Sequence, residues 1–365
     1  MVACEDNTPS TVAKPVWDSV ALQYANNFKV QQQGSYTLLS IGAAWKNAQP
    51  TFQYLLYPKD STPPISHPKA IKIPVPAERI LCSGSVDVAF LKALGAEDKI
   101  VGLSNGQYLY DPSIQLALAR GKITNIGQDQ GVDYERAMAT QPDLAFVYSI
   151  GNQNTYKKYQ NLGIPAVMLS DFMETSPLGR AEWLLFVSYF IGKEQEAQAY
   201  FDNIVQEYQQ TKTQAALYSS LPTVLTGAVY KGTWYVAGGQ SLMATFIKDA
   251  GGAYLWKENK EVSGVPLDFE AVYAKALKAD IWINQSHYAT KAALLAAEPN
   301  YQDFKAVQKN QLYNYYKRAS ANGGTDFFES GIVRPDLVLK DLVHLFHEQP
   351  VESDSLYYYQ PLKEQ

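Results

Sequence analysis

Hydrophobic and polar positions change their pattern three times along the 365-residue chain. Between residues 17 and 75 they alternate, most clearly at Phe28–Gln31, Tyr36–Ile41 and Phe52–Tyr57. A period of two predicts half-buried strands. Prolines interrupt regular structure as far as Pro74. We therefore predict a β-rich N-terminal extension over residues 17–75, preceded by a tether over residues 1–16.

Short apolar runs then alternate with amphipathic stretches. The runs predict strands at Arg79–Cys82, Ile100–Leu103, Ile123–Ile126, Leu144–Tyr148 and Ala166–Leu169. The stretches predict helices at Val86–Leu94, Pro112–Arg120, Tyr134–Thr140 and Thr155–Leu162. Strand–helix alternation is typical of a mostly parallel sheet covered on both faces. We predict a first α/β lobe over residues 76–176.

The pattern over residues 177–219 is helical. Glu182–Ile191 is apolar nearly all round, which predicts a buried helix. After Gly192, apolar residues recur every three or four positions from Ala197 to Tyr208. That spacing predicts an amphipathic helix of about six turns. The segment therefore reads as a helical connector.

Strand–helix alternation resumes over residues 220–350. The predicted strands are Thr223–Tyr230, Ile281–Asn284 and Gln311–Tyr315, and the predicted helices are Leu242–Ala250, Glu270–Leu277 and Pro335–His347. Residues 351–365 read as a tail. The predicted fold is α/β, with two lobes that contain mostly parallel sheets and are joined by a long connector helix, plus the N-terminal β-rich extension.

Two segments about 135 residues apart share one pattern. Asp133-Tyr134-Glu135 opens a helix that leads through Asp143 into an apolar strand, and Asp268-Phe269-Glu270 does the same through Asp280. A helix–strand unit that is used twice indicates two similar lobes. Two lobes leave a cleft between them, where ligands commonly bind.

Composition and charge narrow the function. A net charge of −5 and a pI near 5.5 argue against nucleic-acid binding. The 26 Tyr and 6 Trp favour sites for large planar ligands, although such rings also fill cores. No run of 18 apolar residues occurs, so we expect no transmembrane helix.

The N-terminus resembles the end of a bacterial lipoprotein signal. Val2 and Ala3 precede Cys4, and a polar run follows. This predicts a lipid on Cys4 that anchors the chain to a membrane. The predicted location of the protein is the periplasm or cell envelope of a bacterium. The alternative is a disordered tail that holds a chance cysteine.

An ordered set of motifs carries a family resemblance over roughly residues 76–350. The motifs are Arg79–Ser85 with Leu91–Gly95, Asp133-Tyr134-Glu135 with Gln141–Leu144, Leu162–Val167, and Gly331 with Arg334–Leu342. Together they resemble the helix-linked substrate-binding proteins of ABC importers for ferric siderophores, haem and cobalamin. The extension at residues 17–75 lies outside that family pattern.

The resemblance implies two docking residues. In that family one Glu at each lobe tip binds the membrane permease, which works with its ATPase, and the matching positions are Glu135 and Glu270. A carboxylate in a first helical turn is favoured by the helix dipole. The alternative is that each Glu only helps to cap its helix, with Asp133 and Asp268 as N-caps. We also expect a monomer with no intrinsic cofactor.

Loops beyond the carboxyl ends of parallel strands are expected to face the cleft. Each aromatic residue there is individually more often a packing residue than a ligand contact, but the set favours a large, flat, partly apolar ligand. The ligand-binding candidates are Ser85, Tyr108, Tyr110, Tyr148, Phe172, Arg180, Tyr230, Lys231, Trp234, Tyr235, His287, Tyr288 and Arg318.

The charged candidates have specific alternatives. Arg180 either pairs with a ligand carboxylate or ties the connector to a lobe through Glu174 or Glu182. Lys231 and Arg318 are weaker candidates for binding an anionic chelate. His287 is a candidate axial ligand to haem, with Tyr235 or Tyr288. The sequence offers no clustered His and carboxylates for a bare zinc or manganese ion.

The leading prediction is a binding protein without catalysis that delivers a metal chelate to a permease. A ferric siderophore leads, and haem and cobalamin are alternatives. A stiff connector helix predicts little lobe motion. An enzyme is disfavoured, because dinucleotide, phosphate-loop, serine-hydrolase and Cys-x-x-Cys motifs are absent from the sequence. A third reading is a lipoprotein scaffold that holds a partner through its β-rich extension.

Overall fold

The computed structural model describes residues 16–45, 48, 52–64, 67–128, 131–148, 153–285, 288–348 and 353–364. They form two α/β lobes with mostly parallel sheets, a long helix between them, and an N-terminal β-sheet. The predicted fold class is confirmed. The predicted lipid-bearing Cys4 and the candidate His287 lie outside the described residues.

The N-terminal extension is a five-stranded sheet that shares its core with the first lobe. Its strands are β1 (Asp18–Val20), β2 (Phe28–Gln33), β3 (Tyr36–Ile41), β4 (Phe52–Pro58) and β5 (Ile71–Val75). They pair in sequence order, antiparallel except for the parallel pair β4–β5. Phe28, Tyr54 and Ile73 are buried in one cluster with Phe146 of the first lobe. Removing the extension would expose this core.

The first lobe contains the predicted elements, with ends shifted by about one residue. Its elements are β6 (Ile80–Cys82), α1 (Ser85–Ala93), β7 (Ile100–Leu103), α2 (Pro112–Ala119), β8 (Thr124–Asn125), β9 (Gly127–Gln128), β10 (Gly131–Val132), α3 (Tyr134–Ala139), β11 (Leu144–Val147), α4 (Asn154–Asn161) and β12 (Ala166–Met168). The short strands β9 and β10 are additions to the predicted set. The main sheet has the order β12-β11-β6-β7-β8 and is parallel throughout. The Tyr54 hydroxyl accepts a 2.8 Å hydrogen bond from the backbone N–H of Met168, so the extension covers the β12 edge.

Three helices connect the lobes: α5 (Pro177–Ala181), α6 (Trp183–Ile191) and α7 (Glu194–Ala215). Every residue of α6 is buried, as its apolar composition predicts. The 22 residues of α7 span roughly 33 Å, since each helical residue rises about 1.5 Å. The connector helix is thus long enough to run the length of a small domain.

The second lobe follows the same plan with more insertions. Its elements are β13 (Thr223–Thr226), β14 (Val229–Tyr230), β15 (Thr233–Ala237), α8 (Leu242–Asp249), β16 (Ala253–Tyr254), β17 (Gly264–Leu267), α9 (Phe269–Ala276), β18 (Ile281–Ile283), α10 (Lys291–Ala297), α11 (Lys305–Gln308), β19 (Leu312–Asn314), α12 (Ser330–Val333), α13 (Pro335–His347) and β20 (Gln360–Pro361). The main sheet has the order β16-β13-β18-β19-β20, in which β20 alone is antiparallel.

The strand predicted at Thr223–Tyr230 is broken at Gly227. Its φ is +75°, and a Cβ there would lie 1.9 Å from the Tyr235 carbonyl oxygen. Only glycine fits such a position, because it has no Cβ and tolerates positive φ. The chain therefore turns into the β14–β15 hairpin, which pairs with β17 in a separate small sheet.

The repeated sequence unit occupies the same place in both sheets. β11 lies between β6 and β12, and β18 lies between β13 and β19. Asp143 accepts hydrogen bonds from the backbone N–H groups of Glu78 and Arg79, at 2.6 and 3.1 Å. Asp280 accepts one from the N–H of Thr223, at 2.8 Å. In each lobe this Asp holds the start of the first strand.

The C-terminal segment is not a free tail. β20 pairs with β19, and the side chains of Tyr358 and Tyr359 are fully buried. The Asp341 carboxylate accepts hydrogen bonds from the backbone N–H groups of Tyr357, Tyr358 and Tyr359, at 2.6–3.0 Å. Residues 353–364 therefore complete the second lobe. Among the described residues, no helix combines the length and apolar character that crossing a membrane requires.

Candidate ligand-binding cleft

A cavity of about 300 Å³ lies at the carboxyl ends of β6, β7, β11 and β12. Of its described lining residues, Phe328 alone comes from the second lobe. The lining residues are Ser83, Gly84, Ser85, Val86, Asp87, Asn105, Tyr108, Leu109, Tyr148, Leu169, Asp171, Phe172, Arg180 and Phe328. The cavity thus occupies the edge of the sheet where parallel α/β lobes bind ligands.

Hydrogen bonds among its loops hold the floor of the cleft. The Asp87 carboxylate accepts from the backbone N–H and the hydroxyl of Ser83, at 2.6 and 2.9 Å. The Ser83 carbonyl accepts from the Ser104 hydroxyl and the Asn105 side-chain amide. Burial raises the pKa of Asp87 to about 6, although the Ser83 bonds favour the ionised form. Asp87 was not among the predicted site residues.

Arg180 ties the connector to the first lobe through a residue that sequence reasoning missed. Its Nε lies 2.7 Å from Oδ2 of Asp171, and the Asp171 side chain is nearly inaccessible. The expected partners Glu174 and Glu182 are wrong, because both carboxylates bind the backbone of the N-terminal extension instead. Arg180 also lines the cleft, so its pairing with a ligand stays a prediction.

The two glutamates hold residues 23–27 against the connector. Glu182 accepts from the N–H groups of Gln23, Tyr24 and Ala25, at 2.6–2.8 Å. Glu174 accepts from the N–H groups of Asn26 and Asn27, at 2.9–3.1 Å. Burial raises the pKa of Glu174, and these bonds oppose the shift. Five consecutive N–H groups therefore bind two buried carboxylates.

Aromatic rings form the walls of the cleft. Tyr108 is 52% exposed, Tyr148 45% and Phe328 50%. Tyr148 and Phe172 make an edge contact with ring centroids 4.9 Å apart. Four rings around one cavity provide an apolar, polarisable surface for a large ligand. Phe328 was not predicted.

A contact between the lobes lies beside this cavity. The Glu329 carboxylate accepts from the backbone N–H groups of Tyr110 and Asp111, at 2.8 and 3.2 Å. The Arg318 guanidinium lies between the rings of Tyr110 and Tyr357, 4.8 and 4.5 Å from their centroids. Tyr110 and Arg318, both cleft candidates, line a different cavity at this contact. They join the lobes together.

Arg318 also forms an ion pair within the second lobe. Its Nε lies 2.6 Å from Oδ2 of the buried Asp326. Asn322 reaches across to the first lobe, where its side-chain amide donates to the Gln107 carbonyl at 3.1 Å. The chain from Arg318 to Glu329 therefore contacts the loop that carries Tyr108 and Tyr110.

Five other candidates of the second lobe do not line this cavity. Tyr230, Lys231 and Tyr235 lie on the exposed β14–β15 hairpin, where the Lys231 ammonium lies 5.3 Å from the centre of the Tyr230 ring. Trp234 is wrong as a ligand contact, because its side chain is fully buried beside Trp282. Tyr288 is partly buried against the second-lobe core.

The two predicted docking residues lie at equivalent places on the surface. Glu135 is exposed in the first turn of α3, and Glu270 is exposed in the first turn of α9. Asp133 caps α3 by accepting from the Arg136 N–H at 3.0 Å, and Asp268 occupies the corresponding position of α9. Within the described residues, no group of three or more His, Cys, Asp or Glu side chains is placed to hold a metal ion.

The chain is similar to other proteins in sequence and in fold. An uncharacterized lipoprotein of Methanocaldococcus jannaschii is 25% identical over 79% of this chain and 69% of its own length. A possible iron-binding, periplasmic solute-binding protein of Staphylococcus epidermidis has a TM-score of 0.60 at 14% identity, covering 75% of this chain and 100% of that one. A periplasmic haem-binding protein of Pseudomonas aeruginosa has a TM-score of 0.58 at 19% identity, covering 79% and 96%.

The sequence match that assigns the family covers most of the two lobes. A sequence profile described as periplasmic binding protein matches residues 80–319, from the first strand of the first lobe into the loop that follows β19. The predicted resemblance is confirmed. The matched family consists of proteins that bind substrates for transport. The chain belongs to the periplasmic binding protein family.

Proposed function

We propose that this chain is the substrate-binding component of an ABC importer and captures a ferric siderophore in the cleft between its lobes. It performs no catalysis and hands the chelate to a permease, which works with its ATPase. The observation that carries the proposal is the cleft itself, in which Tyr108, Tyr148, Phe172 and Phe328 surround a floor that holds Ser85 and Arg180.

The charge of the cleft favours one kind of chelate. Its described charged residues are Asp87, Asp171 and Arg180, and Arg180 is already paired with Asp171. The cleft surface is therefore neutral when the Asp87 carboxyl is protonated and negative when it is ionised. Neutral or cationic ferric complexes, such as trihydroxamates, suit this surface better than anionic tricatecholates or the propionates of haem. Cobalamin is the alternative, because its neutral amides also suit a neutral to negative surface.

The proposed envelope location draws on the relatives. The M. jannaschii relative is named a lipoprotein, which supports a lipid on Cys4 as the membrane anchor. That relative is archaeal, whereas the solved structures are bacterial, so the bacterial source stays a prediction. Glu135 and Glu270 are the proposed permease contacts.

Titration with chelates of different charge tests the proposal. Tyrosine and tryptophan fluorescence would be followed while adding ferric desferrioxamine B (cationic), ferrichrome (neutral), ferric enterobactin (anionic), haemin or cyanocobalamin. We expect the two hydroxamates to bind at least about tenfold more tightly than the anionic complexes, a difference of about 1.4 kcal/mol. Preferential binding of haemin with a shifted Soret band would instead assign a haem carrier. Absence of binding by all five would reject the chelate proposal.

A further inference from the structure

A second cavity adjoins the cleft and shares two residues with it. It encloses about 230 Å³ between α5, the start of α8 and the chain from Phe327 to Val338. Its described walls are Pro177, Arg180, Leu242, Met243, Phe246, Phe327, Phe328, Gly331, Ile332, Pro335 and Val338. Arg180 and Phe328 also line the cleft, so one pair of side chains forms the boundary between the two spaces.

The two spaces differ in chemistry. The cleft presents hydroxyl, amide and charged groups, whereas the described walls of the second cavity are apolar apart from Arg180. Phe246, Ile332 and Val338 are buried in its interior wall, and Leu242 and Met243 are half-buried on the first turn of α8. An apolar space offers water few hydrogen-bond partners, so an apolar group is its favourable occupant.

The boundary residues show how one ligand can occupy both spaces. The Arg180 Nε pairs with Asp171, and Arg180 also lines the apolar cavity, where the methylene stem of an arginine commonly contacts apolar atoms. The Phe328 ring makes edge contacts with Tyr315 and Phe327, at 5.0 and 5.1 Å, yet remains half-exposed between the two spaces. Its exposed face can contact a ligand that passes from one side to the other.

We propose that the second cavity receives an aliphatic arm of the chelate whose iron-binding head occupies the cleft. The substrate class is then an amphiphilic siderophore, with a hydroxamate-type head and an acyl chain. Phe328 and the first turn of α8 determine this specificity. The inference rests on the proposed function for the head, whereas the arm site depends only on the second cavity.

Two neutral ferric complexes that differ only in chain length test the arm site. N-acetyl and N-octanoyl desferrioxamine B present the same iron centre, and binding is followed by protein fluorescence below the micelle concentration of the longer compound. We expect the octanoyl complex to bind at least about tenfold more tightly, which corresponds to burying about two methylene groups. Equal affinities would overturn the inference and leave the proposed function standing.

Matched variants locate the effect. Leu242→Asn and Met243→Asn are each expected to cut the octanoyl preference to about threefold or less, because a polar group then lines the cavity. Leu116→Asn is the control, since Leu116 is 48% exposed on α2 and lines neither cavity. An undiminished preference in both α8 variants would also overturn the inference.

A neutral apolar dye separates the two proposals. If neither these two complexes nor any of the five chelates above binds, N-phenyl-naphthylamine binding, compared between variants, tests the second cavity by itself. Dye fluorescence that rises with the native protein and falls in Met243→Asn, but not in Leu116→Asn, would support the arm site and reject the proposed function. Dye binding that is absent, or insensitive to Met243→Asn, would reject both.

Discussion

The Glu329 carboxylate in the second lobe accepts a hydrogen bond from the backbone N–H of Tyr110 in the first lobe, with 2.8 Å between the heavy atoms. The Glu329 side chain is 3% exposed and follows Phe328, which lines the ligand cleft. Burial raises the pKa of Glu329 to about 7, the nearby Asp326 and Asp111 add to the shift, and the Tyr110 bond opposes it. The contact between the lobes therefore carries a group that titrates near neutrality.

This contact predicts that ligand release depends on pH. When this local contact opens, Glu329 regains water and an ordinary pKa, so the closed contact binds the extra proton between about pH 4.5 and 7. The free energy that favours the closed contact over the open one is fully present below that range. It is lost as the pH rises through about 7. We expect a neutral chelate to dissociate roughly three- to tenfold more slowly at about pH 6 than at about pH 8. Stopped-flow dissociation measures this.

Glu329→Gln is the matched variant for this prediction. The amide cannot ionise and keeps one oxygen that can accept from the Tyr110 N–H. We expect its dissociation rate to be nearly constant over the same pH range. An equal pH dependence in the variant and the native protein would show that another group controls release.

Asp87 predicts a second pH effect, on the choice of ligand. With a pKa raised to about 6 by burial, its carboxyl is neutral below that pH and ionised above it. Ferric desferrioxamine B carries a positive charge that its N-acetyl derivative lacks. The affinity ratio of the two complexes is expected to rise about threefold or more in favour of the cationic one as the pH passes from about 5 to about 7.5. Calorimetry with both complexes measures this ratio.

Asp87→Asn provides the comparison. It keeps an oxygen that can accept from Ser83 but cannot acquire a charge. The affinity ratio should then stay constant with pH. A ratio that still rises in the variant would assign the effect to a group other than Asp87.

Local periodicity was enough to predict the lobes but not their contacts. Strands and helices of the first lobe follow from hydrophobic spacing, because each element buries one face within its own neighbourhood. The partner of Arg180 does not follow in this way. Glu174 and Glu182 are close to it in sequence, yet their carboxylates bind N–H groups of residues 23–27, about 150 positions away. Only the fold reveals that competition.

Position in a loop after a strand is also not enough to identify the residues that line the cleft. Trp234, Tyr235 and Val236 lie on one strand whose side chains alternate between buried and exposed faces. The period of two would have separated the buried Trp234 from the exposed Tyr235. Phe328 ends the single short turn Asp326–Phe328 and Glu329 follows it, and this turn is too brief to produce a periodic signal. They were missed for that reason.

The bonds of Glu182 predict a large loss of stability. Glu182→Ala would leave the N–H groups of Gln23, Tyr24 and Ala25 without their acceptor at a buried site. We expect the free energy of unfolding to fall by about 2–4 kcal/mol. Glu182→Gln, which keeps one acceptor oxygen, should lose less. Urea unfolding measures the loss, and faster hydrogen exchange at residues 23–27 locates it.

Glu207→Ala is the control for this effect. Glu207 is exposed on α7, so its removal should change the unfolding free energy by less than about 0.5 kcal/mol. A loss at Glu182 no greater than that at Glu207 would mean that the extension is held by its apolar core contacts alone. Unchanged exchange at residues 23–27 would lead to the same conclusion.

The exposed Glu135 and Glu270 are predicted to contact the permease. They lie in the first turns of α3 and α9, which precede equivalent strands of the two lobes, so one flat partner can contact both lobes through the same kind of group. Glu135→Ala or Glu270→Ala is expected to lower chelate-iron uptake roughly tenfold, and the double variant further, by removing a charge pair with the permease. Uptake of radiolabelled iron by host cells that lack the native protein measures this.

Ligand affinity and a pair of control variants distinguish docking from helix capping. Docking predicts unchanged chelate affinity and unchanged thermal stability in both variants, because neither Glu lines the cleft. Capping predicts lower stability and little change in uptake per folded molecule. Glu97→Ala and Glu258→Ala remove exposed carboxylates elsewhere on the same two lobes and should leave uptake intact. Equal uptake losses in all four single variants would indicate a general effect of net charge and reject specific docking by Glu135 and Glu270.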